Sequence, residues 1–160
     1  MKISQEGIAL IKKFEGCPKN AKGDAVSYRC AANKKTIGFG SLKLIDGSPV
    51  EDDMTITMQE AEELLAHELE EYEGYVNEMV KCNLLQNQFD SLVSWTFNLG
   101  PTNLKNSTLL KVLNSTHIDW ADIPHQIQRW NKVNGEVSEG LIRRREAEAL
   151  LFEGKEWHEV

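Results

Sequence analysis

The sequence predicts an α+β protein in which a small antiparallel sheet follows an N-terminal helix, and one long helix leads on to a lobe of shorter helices. Three observations predict it. Apolar residues near the N-terminus recur at helical spacing, a Gly-rich stretch then alternates like short strands, and from Thr57 onward the periodicity is helical almost to the end. A chain of 160 residues fits one compact domain and is short for two.

The first helix is expected over residues 3–15, with Ile3, Ile8, Ile11 and Phe14 near helical spacing, Ser4 as N-cap and Gly16 to end it. Residues 16–33, rich in Gly, Asn, Lys and Asp, read as loop. Thr36–Gly40 and Leu42–Ile45 alternate like strands and Asp46-Gly47 is a hairpin turn signal, so a three-stranded sheet is expected near residues 34–56 of a β-lobe covering about 16–56. Thr57-Met58-Gln59-Glu60 is a capping box that opens a connecting helix over about 57–80. Its apolar positions Ala61, Leu65, Leu69, Tyr72, Val76 and Met79 are separated by a run of glutamates that reads as a solvated face. A helix of this length spans roughly 35 Å, enough to join two lobes. The helical lobe, about 84–160, is expected to hold helices over Gln86–Leu99, from Asn106 or Ser107 to Leu113, around Trp120–Trp130 with a break at Pro124, and over Leu141–Phe152. No internal repeat or long linker divides the chain.

Lys and Arg number 18 against 25 Asp and Glu, a net charge of −7. That balance argues against nucleic acid as partner, because phosphate neutralisation needs clustered cations. The three cysteines, Cys17, Cys30 and Cys82, have neither zinc-site spacing nor an even count, and read as free thiols, with a Cys17–Cys30 bridge the one pairing left open. His67, His117, His125 and His158 are scattered, so no metal site and no cofactor are expected. The N-terminus lacks an apolar export segment, and no stretch approaches a membrane span.

Among 25 acids, Glu15 stands out. It follows Phe14 at the end of an apolar helical face and precedes Gly16, where the chain can turn and leave a side chain projecting. Apolar neighbours and a helix C-terminus both disfavour a charged carboxylate, which suits a general acid protonating a leaving oxygen.

Phe14-Glu15-Gly16, Ser27-Tyr28-Arg29-Cys30 and Thr36-Ile37-Gly38-Phe39-Gly40 together resemble the active-site segment of the phage T4-type lysozymes, glycoside hydrolase family 24. The resemblance continues in order through Thr55–Leu65, Gln86–Ser94, Phe97–Gly100, Ser107–Leu110, Arg129–Asn131 and Gly140–Glu146. It implies a lysozyme-like α+β fold with a cleft between the lobes, and an N-acetylmuramidase that cleaves the β-1,4 bond between N-acetylmuramic acid and N-acetylglucosamine in peptidoglycan with inversion. Glu15 would be the acid, and Cys30 and Thr36 would hold the attacking water, with a gap of roughly 6.5–9.5 Å between the paired groups.

The sequence departs from the family pattern in three places. The loop after Glu15 is longer, with the insertion at about 17–26, so two residues compete for the second role. Asp24 keeps the family's spacing to Glu15; Cys30 keeps its spacing to Thr36 and is favoured, because Tyr28–Ala32 runs without a gap into the strand. The favoured group is a thiol, ordinarily a weak acid with a pKa of about 8.5, so it works as a base only where Arg29, Lys34 or another neighbour stabilises the thiolate. Third, Ser41 stands where the family's strand ends in a His that can pair with an acid on the connecting helix.

Gln88, Asn98, Ser107 and Trp130 are candidate sugar contacts, and Arg143-Arg144-Arg145 is expected to pair with Glu146 and its neighbours. Without an export segment the chain is expected to accumulate in the host cytoplasm, the resemblance implies dependence on a membrane-permeabilising holin to reach the wall, and a monomer is expected. Two rival functions stay open: a hydrolase of a related β-1,4 glycan such as chitin, and a glycan-binding protein that has lost turnover.

Overall fold

The computed structural model describes Met1–Val160. In order, the elements are α1 (Gln5–Glu15), β1 (Ala25–Val26), β2 (Tyr28–Arg29), β3 (Lys35–Thr36), β4 (Thr55–Ile56), α2 (Met58–Met79), α3 (Gln86–Leu99), α4 (Pro101–Asn106), α5 (Thr108–Leu113), α6 (Ile123–Gln128), β5 (Lys132–Val133), β6 (Glu136–Val137) and α7 (Glu139–Phe152). The chain forms two compact units, one of Met1–Ile11 with Tyr72–Val160 and one of Lys12–Glu71. No helix is long and apolar enough to cross a membrane.

The unit Lys12–Glu71 is built on the end of α1 and the start of α2. Thr57 and Glu60 form the expected capping box: Glu60 N–H donates to Thr57 Oγ1 at 3.0 Å and Thr57 N–H to Glu60 Oε1 at 3.1 Å. Ala61, Leu64, Leu65 and Leu69 of α2 are buried along with Ala25, Ile37, Phe39 and Val50. Gly38 allows the closest approach: its φ is +65°, and a Cβ there would lie 3.3 Å from that of Ala61.

The expected three-stranded sheet is instead two separate antiparallel pairs. β1 pairs with β4 (Ala25↔Ile56, Val26↔Thr55) and β2 with β3 (Tyr28↔Thr36, Arg29↔Lys35). Beyond Thr36 only isolated bridges join Ile37 to Ser41 and Lys43 to Pro49. The reason is local. Gly38 and Gly40 take left-handed φ angles of +65° and +98°, which turn the chain back on itself before a strand can extend.

The second unit is centred on α3, whose residues Phe89–Thr96 are all buried, and which packs mainly on α7. Ser4 does not cap α1 with its side chain. It binds Asp90 of α3 through both its N–H, at 2.9 Å, and its hydroxyl, and Gly7 leaves no room for a Cβ against Ile3 and Asp90. Two elements depart from the expected pattern. Directly after α3 ends at Leu99, Pro101 opens an additional short helix, α4, as its fixed φ and missing N–H permit at a first helical position. Asn134-Gly135, both at positive φ, turn an unforeseen hairpin between β5 and β6.

Of the three arginines of α7, Arg144 and Arg145 pair with Glu148, a neighbour of Glu146, rather than with Glu146 itself, and Arg143 is exposed. Helical spacing puts Glu148 three and four residues on from Arg145 and Arg144, on the same inward face, whereas Glu146 is exposed. Glu148 Oε1 lies 2.7 Å from Arg145 Nε, Oε2 lies 3.3 Å from Arg144 Nε, and Ser94 Oγ of α3 donates to Oε2 at 2.6 Å. Ser91 Oγ donates to the Glu148 carbonyl at 2.6 Å. Arg145 and Glu148 are fully buried. Removing one member of such a cluster strands the others without water. Glu148→Ala is therefore expected to lower stability by about 3–5 kcal/mol in urea unfolding, and a loss below about 1 kcal/mol, the scale of an exposed ion pair, would mean that the arginines find equal partners elsewhere.

Candidate active site

Glu15 is the last residue of α1, and Gly16 beyond it has the left-handed φ of +66° that closes a helix and lets the chain depart sideways. The Glu15 side chain is half-buried and lies over Gly40, where a Cβ would come within 3.7 Å of its Oε2. A glycine at Gly40 thus keeps an open face beside the carboxylate, and its φ of +98° suits no other residue well.

The residues after Gly16 form a closed excursion. Val26 N–H donates to Pro18 O, Asn20 N–H to Asp24 O, and Asp24 N–H to Asn20 Oδ1. The extra loop length is thereby used up before β2 begins. Asp24 sits in that excursion, next to the β1–β4 pair, whereas Thr36 belongs to the β2–β3 pair.

Cys30 lies just past β2, at the mouth of a tight turn in which Cys30 N–H donates to Lys34 O and Asn33 N–H to Cys30 O. Its thiol is half-exposed. The main-chain N–H of Lys34 above all holds the Cys30 pKa below its ordinary value; burial opposes it, and the Ala32 N–H and the Thr36 hydroxyl add smaller stabilisation of the thiolate. This differs from the expected source of stabilisation. The Arg29 side chain is engaged with Asp52 at 3.2 Å and with the Asn33 carbonyl, so backbone dipoles replace a cationic side chain. Thr36 is buried, and its hydroxyl donates to Lys34 O at 2.8 Å.

Sequence reasoning missed Tyr28. It is the cross-strand partner of Thr36, and burial first, then the charges of Glu15, Cys17 and Cys30, push its phenol up. The alternation of β2 is the signal that points to it, since Tyr28 and Cys30 are two residues apart and share a face. Ser41 is buried near Glu68 of α2. Burial pushes the Glu68 carboxyl up, and the Ser41 hydroxyl offsets part of that rise. Ser41 thus stands beside the acid on α2 where the family pattern offers an imidazole, but its buried Oγ makes no hydrogen bond inside the protein.

The four candidate sugar contacts belong to the helical unit and do not all meet. Ser107 and Trp130, with Leu99, Asn106, Thr108, Arg129, Asn131 and Lys132, line a cavity of about 400 Å³. Ser107 is buried as the N-cap of α5, its Oγ accepting from Leu110 N–H at 3.0 Å, and Trp130 meets Trp95 edge-on. Asn98 is exposed and its Oδ1 accepts from Arg145 Nη2 at 2.8 Å. Gln88 lines a different cavity with Leu85 and Trp120, where its Oε1 accepts from Leu85 N–H at 2.8 Å and closes the start of α3. It stands near one end of α3 and Leu99 at the other, about 16 Å apart along the helix axis.

Cys17, Cys30 and Cys82 are all free thiols, and burial pushes the Cys17 and Cys82 thiols up. Site-resolved alkylation with iodoacetamide is therefore expected to reach its plateau rate for Cys30 at a lower pH than for either of the others, and Thr36→Val is expected to raise that pH. A Cys30 that titrates together with Cys17 and Cys82 would contradict the thiolate stabilisation described above.

Residues 12–148 match the family model for phage lysozyme. The chain is 40% identical over 154 residues to an endolysin of Bacillus phage B103, covering 95% of this chain but only 54% of that protein. It thus spans about half the length of the Bacillus phage relatives it matches. An endolysin of Acyrthosiphon pisum secondary endosymbiont phage 1 is 36% identical and matches nearly end to end, with 96% of this chain and 99% of that protein covered. Among solved structures, the endolysin from Escherichia coli O157:H7 phage FAHEc1 superposes with a TM-score of 0.84 at 36% identity, over 95% of this chain and 93% of that one. The muramidase domain of SpmX from Asticaccaulis excentricus does so with a TM-score of 0.78 at 31% identity, over 94% and 97%. With helices, short antiparallel strand pairs and matches of this extent, the chain has a lysozyme-like α+β fold and belongs to the phage lysozyme family.

Proposed function

We propose that this chain is a peptidoglycan hydrolase, an N-acetylmuramidase that opens the β-1,4 bond between N-acetylmuramic acid and N-acetylglucosamine during phage-induced lysis. One observation supports it most. A single compact unit holds the Glu15 carboxyl over the open face of Gly40 and, on the neighbouring strand pair, an acidified Cys30 thiol beside the Thr36 hydroxyl. The names of the relatives agree, since they are called endolysins and one matched structure a muramidase domain.

In the reaction, Glu15 gives its proton to the glycosidic oxygen as the bond from that oxygen to the anomeric carbon breaks. A water on the opposite face forms the new bond to that carbon and passes a proton to the Cys30 thiolate, and Thr36 fixes the water's orientation. Attack from the face opposite the leaving group inverts the anomeric centre. Cys30 is favoured over Asp24 as the second group because it adjoins Thr36 on the same strand pair. The cavity lined by Ser107 and Trp130 has the size and the mixed aromatic and polar lining of a saccharide site. The enzyme acts as a monomer and needs a separate membrane-permeabilising partner, a holin, to pass from the cell interior to the wall.

Clearing of outer-membrane-permeabilised Gram-negative cells tests this reading. The parent chain is expected to lyse them, and Glu15→Gln to do so at least ~100-fold more slowly, as for loss of a general acid. A Gln variant as fast as the parent would remove Glu15 from the role. A parent that binds purified peptidoglycan but releases no fragments would favour a glycan-binding protein, and one that prefers chitin oligomers would change the substrate. For the second group, Cys30→Ala is expected to lower turnover more than Asp24→Ala does; the reverse order would move the role to Asp24.

A further inference from the structure

The β2–β3 ladder aligns three polar side chains. Directly opposed residues of an antiparallel pair project to the same side, so Tyr28 and Thr36 share a face. Cys30, two residues beyond Tyr28, returns to that face, where the Thr36 hydroxyl helps to stabilise its thiolate. Arg29, between them, points the other way and pairs with Asp52. Tyr28 is half-buried and within electrostatic reach of Glu15 as well as Cys30, and no hydrogen bond inside the protein engages its hydroxyl.

Hydrogen-bond counting gives that hydroxyl a task. Thr36 has one hydroxyl hydrogen, taken up by Lys34 O at 2.8 Å or by Cys30 Sγ. Toward a water, Thr36 Oγ1 is therefore an acceptor, and so is the Cys30 thiolate. A water held by these two groups spends both hydrogens on them and keeps two lone pairs. One must face the anomeric carbon, and the other is left needing a donor. We propose that the Tyr28 hydroxyl donates to this second lone pair and is the third protein contact of the attacking water. With three contacts made, the remaining lone pair has one direction in which to point. The raised phenol pKa keeps Tyr28 protonated, and so a donor, throughout the working range.

This inference rests on the hydrolase reading, and the test separates the two. Tyr28→Phe keeps the ring and removes only the oxygen. Release of reducing ends from purified glycan strands is measured across pH for the parent, Tyr28→Phe and Glu15→Gln, with thermal unfolding of each. The expected result for Tyr28→Phe is a kcat lower by about tenfold at every pH, the size of one lost hydrogen bond, with KM, unfolding midpoint and both limbs of the pH profile unchanged. A kcat within twofold of the parent would overturn the proposal. A displaced limb of the pH profile would do so too, by showing that Tyr28 acts on a titrating group of the site rather than on the water. A raised KM at unchanged kcat would make Tyr28 a binding contact instead. Full activity of Glu15→Gln would remove Glu15 from the acid's role, and a parent that releases no reducing ends would sink the hydrolase reading itself.

Discussion

The helical unit depends on one buried carboxylate. Glu148 accepts from Ser94 Oγ of α3 while holding Arg144 and Arg145 on its own helix, so the central packing of α3 on α7 has a fixed azimuth as well as a hydrophobic face. Greasy contact alone would let one helix rotate or slide on another, because apolar burial has no direction. The consequences extend along α3. Arg145, clamped by Glu148, holds Asn98, and the next residue, Leu99, lines the same cavity as Ser107 and Trp130. Trp95 lies between, with its indole N–H toward Ile127 O and its ring edge-on to Trp130. An ion cluster that contributes little to net stability compared with an apolar substitute thus sets the walls of the candidate saccharide cavity.

The function proposed above sets the other unit a different problem, that of making a thiol do the work of a carboxylate. A carboxylate is ionised near neutral pH without help, and a thiol is not. The turn after β2 supplies that help from main-chain N–H groups, which bring no mobile counter-charge and cost no side-chain ordering. The site therefore stays compact although a cation, Arg29, sits next in sequence, because strand alternation sends it to the opposite face.

Legibility in the sequence followed the length scale of the interactions. α2 was readable to within a residue at each end because its capping box is encoded in four adjacent residues, and α3 because its apolar positions repeat over several turns. The strands were not, since each is two residues long and ends where glycines such as Gly38 and Gly40 reverse the chain. The β5–β6 hairpin carries a strong turn signal in Asn134-Gly135, but its strands are two residues each, too short to show an alternating pattern. Glu15 was legible from local context. The partner of the arginines was not, because Glu146 and Glu148 differ only in which face of α7 they occupy. Tyr28 became visible only once the β2–β3 register was known.

The unit built on α3 is discontinuous in sequence: Met1–Ile11 belongs to it, and the chain returns to it only at Tyr72. Its long-range ties span much of the molecule, with Asp90 holding Ser4 and Trp157 Nε1 donating to Glu6 at 2.9 Å. During synthesis, its first segment leaves the ribosome early and must wait for nearly all the remaining residues before those partners exist. Contacts this distant close late. A vectorially made chain of this design carries an unfinished unit until residues 72–160 have followed residues 1–11, so the architecture itself delays the completion of the helical unit.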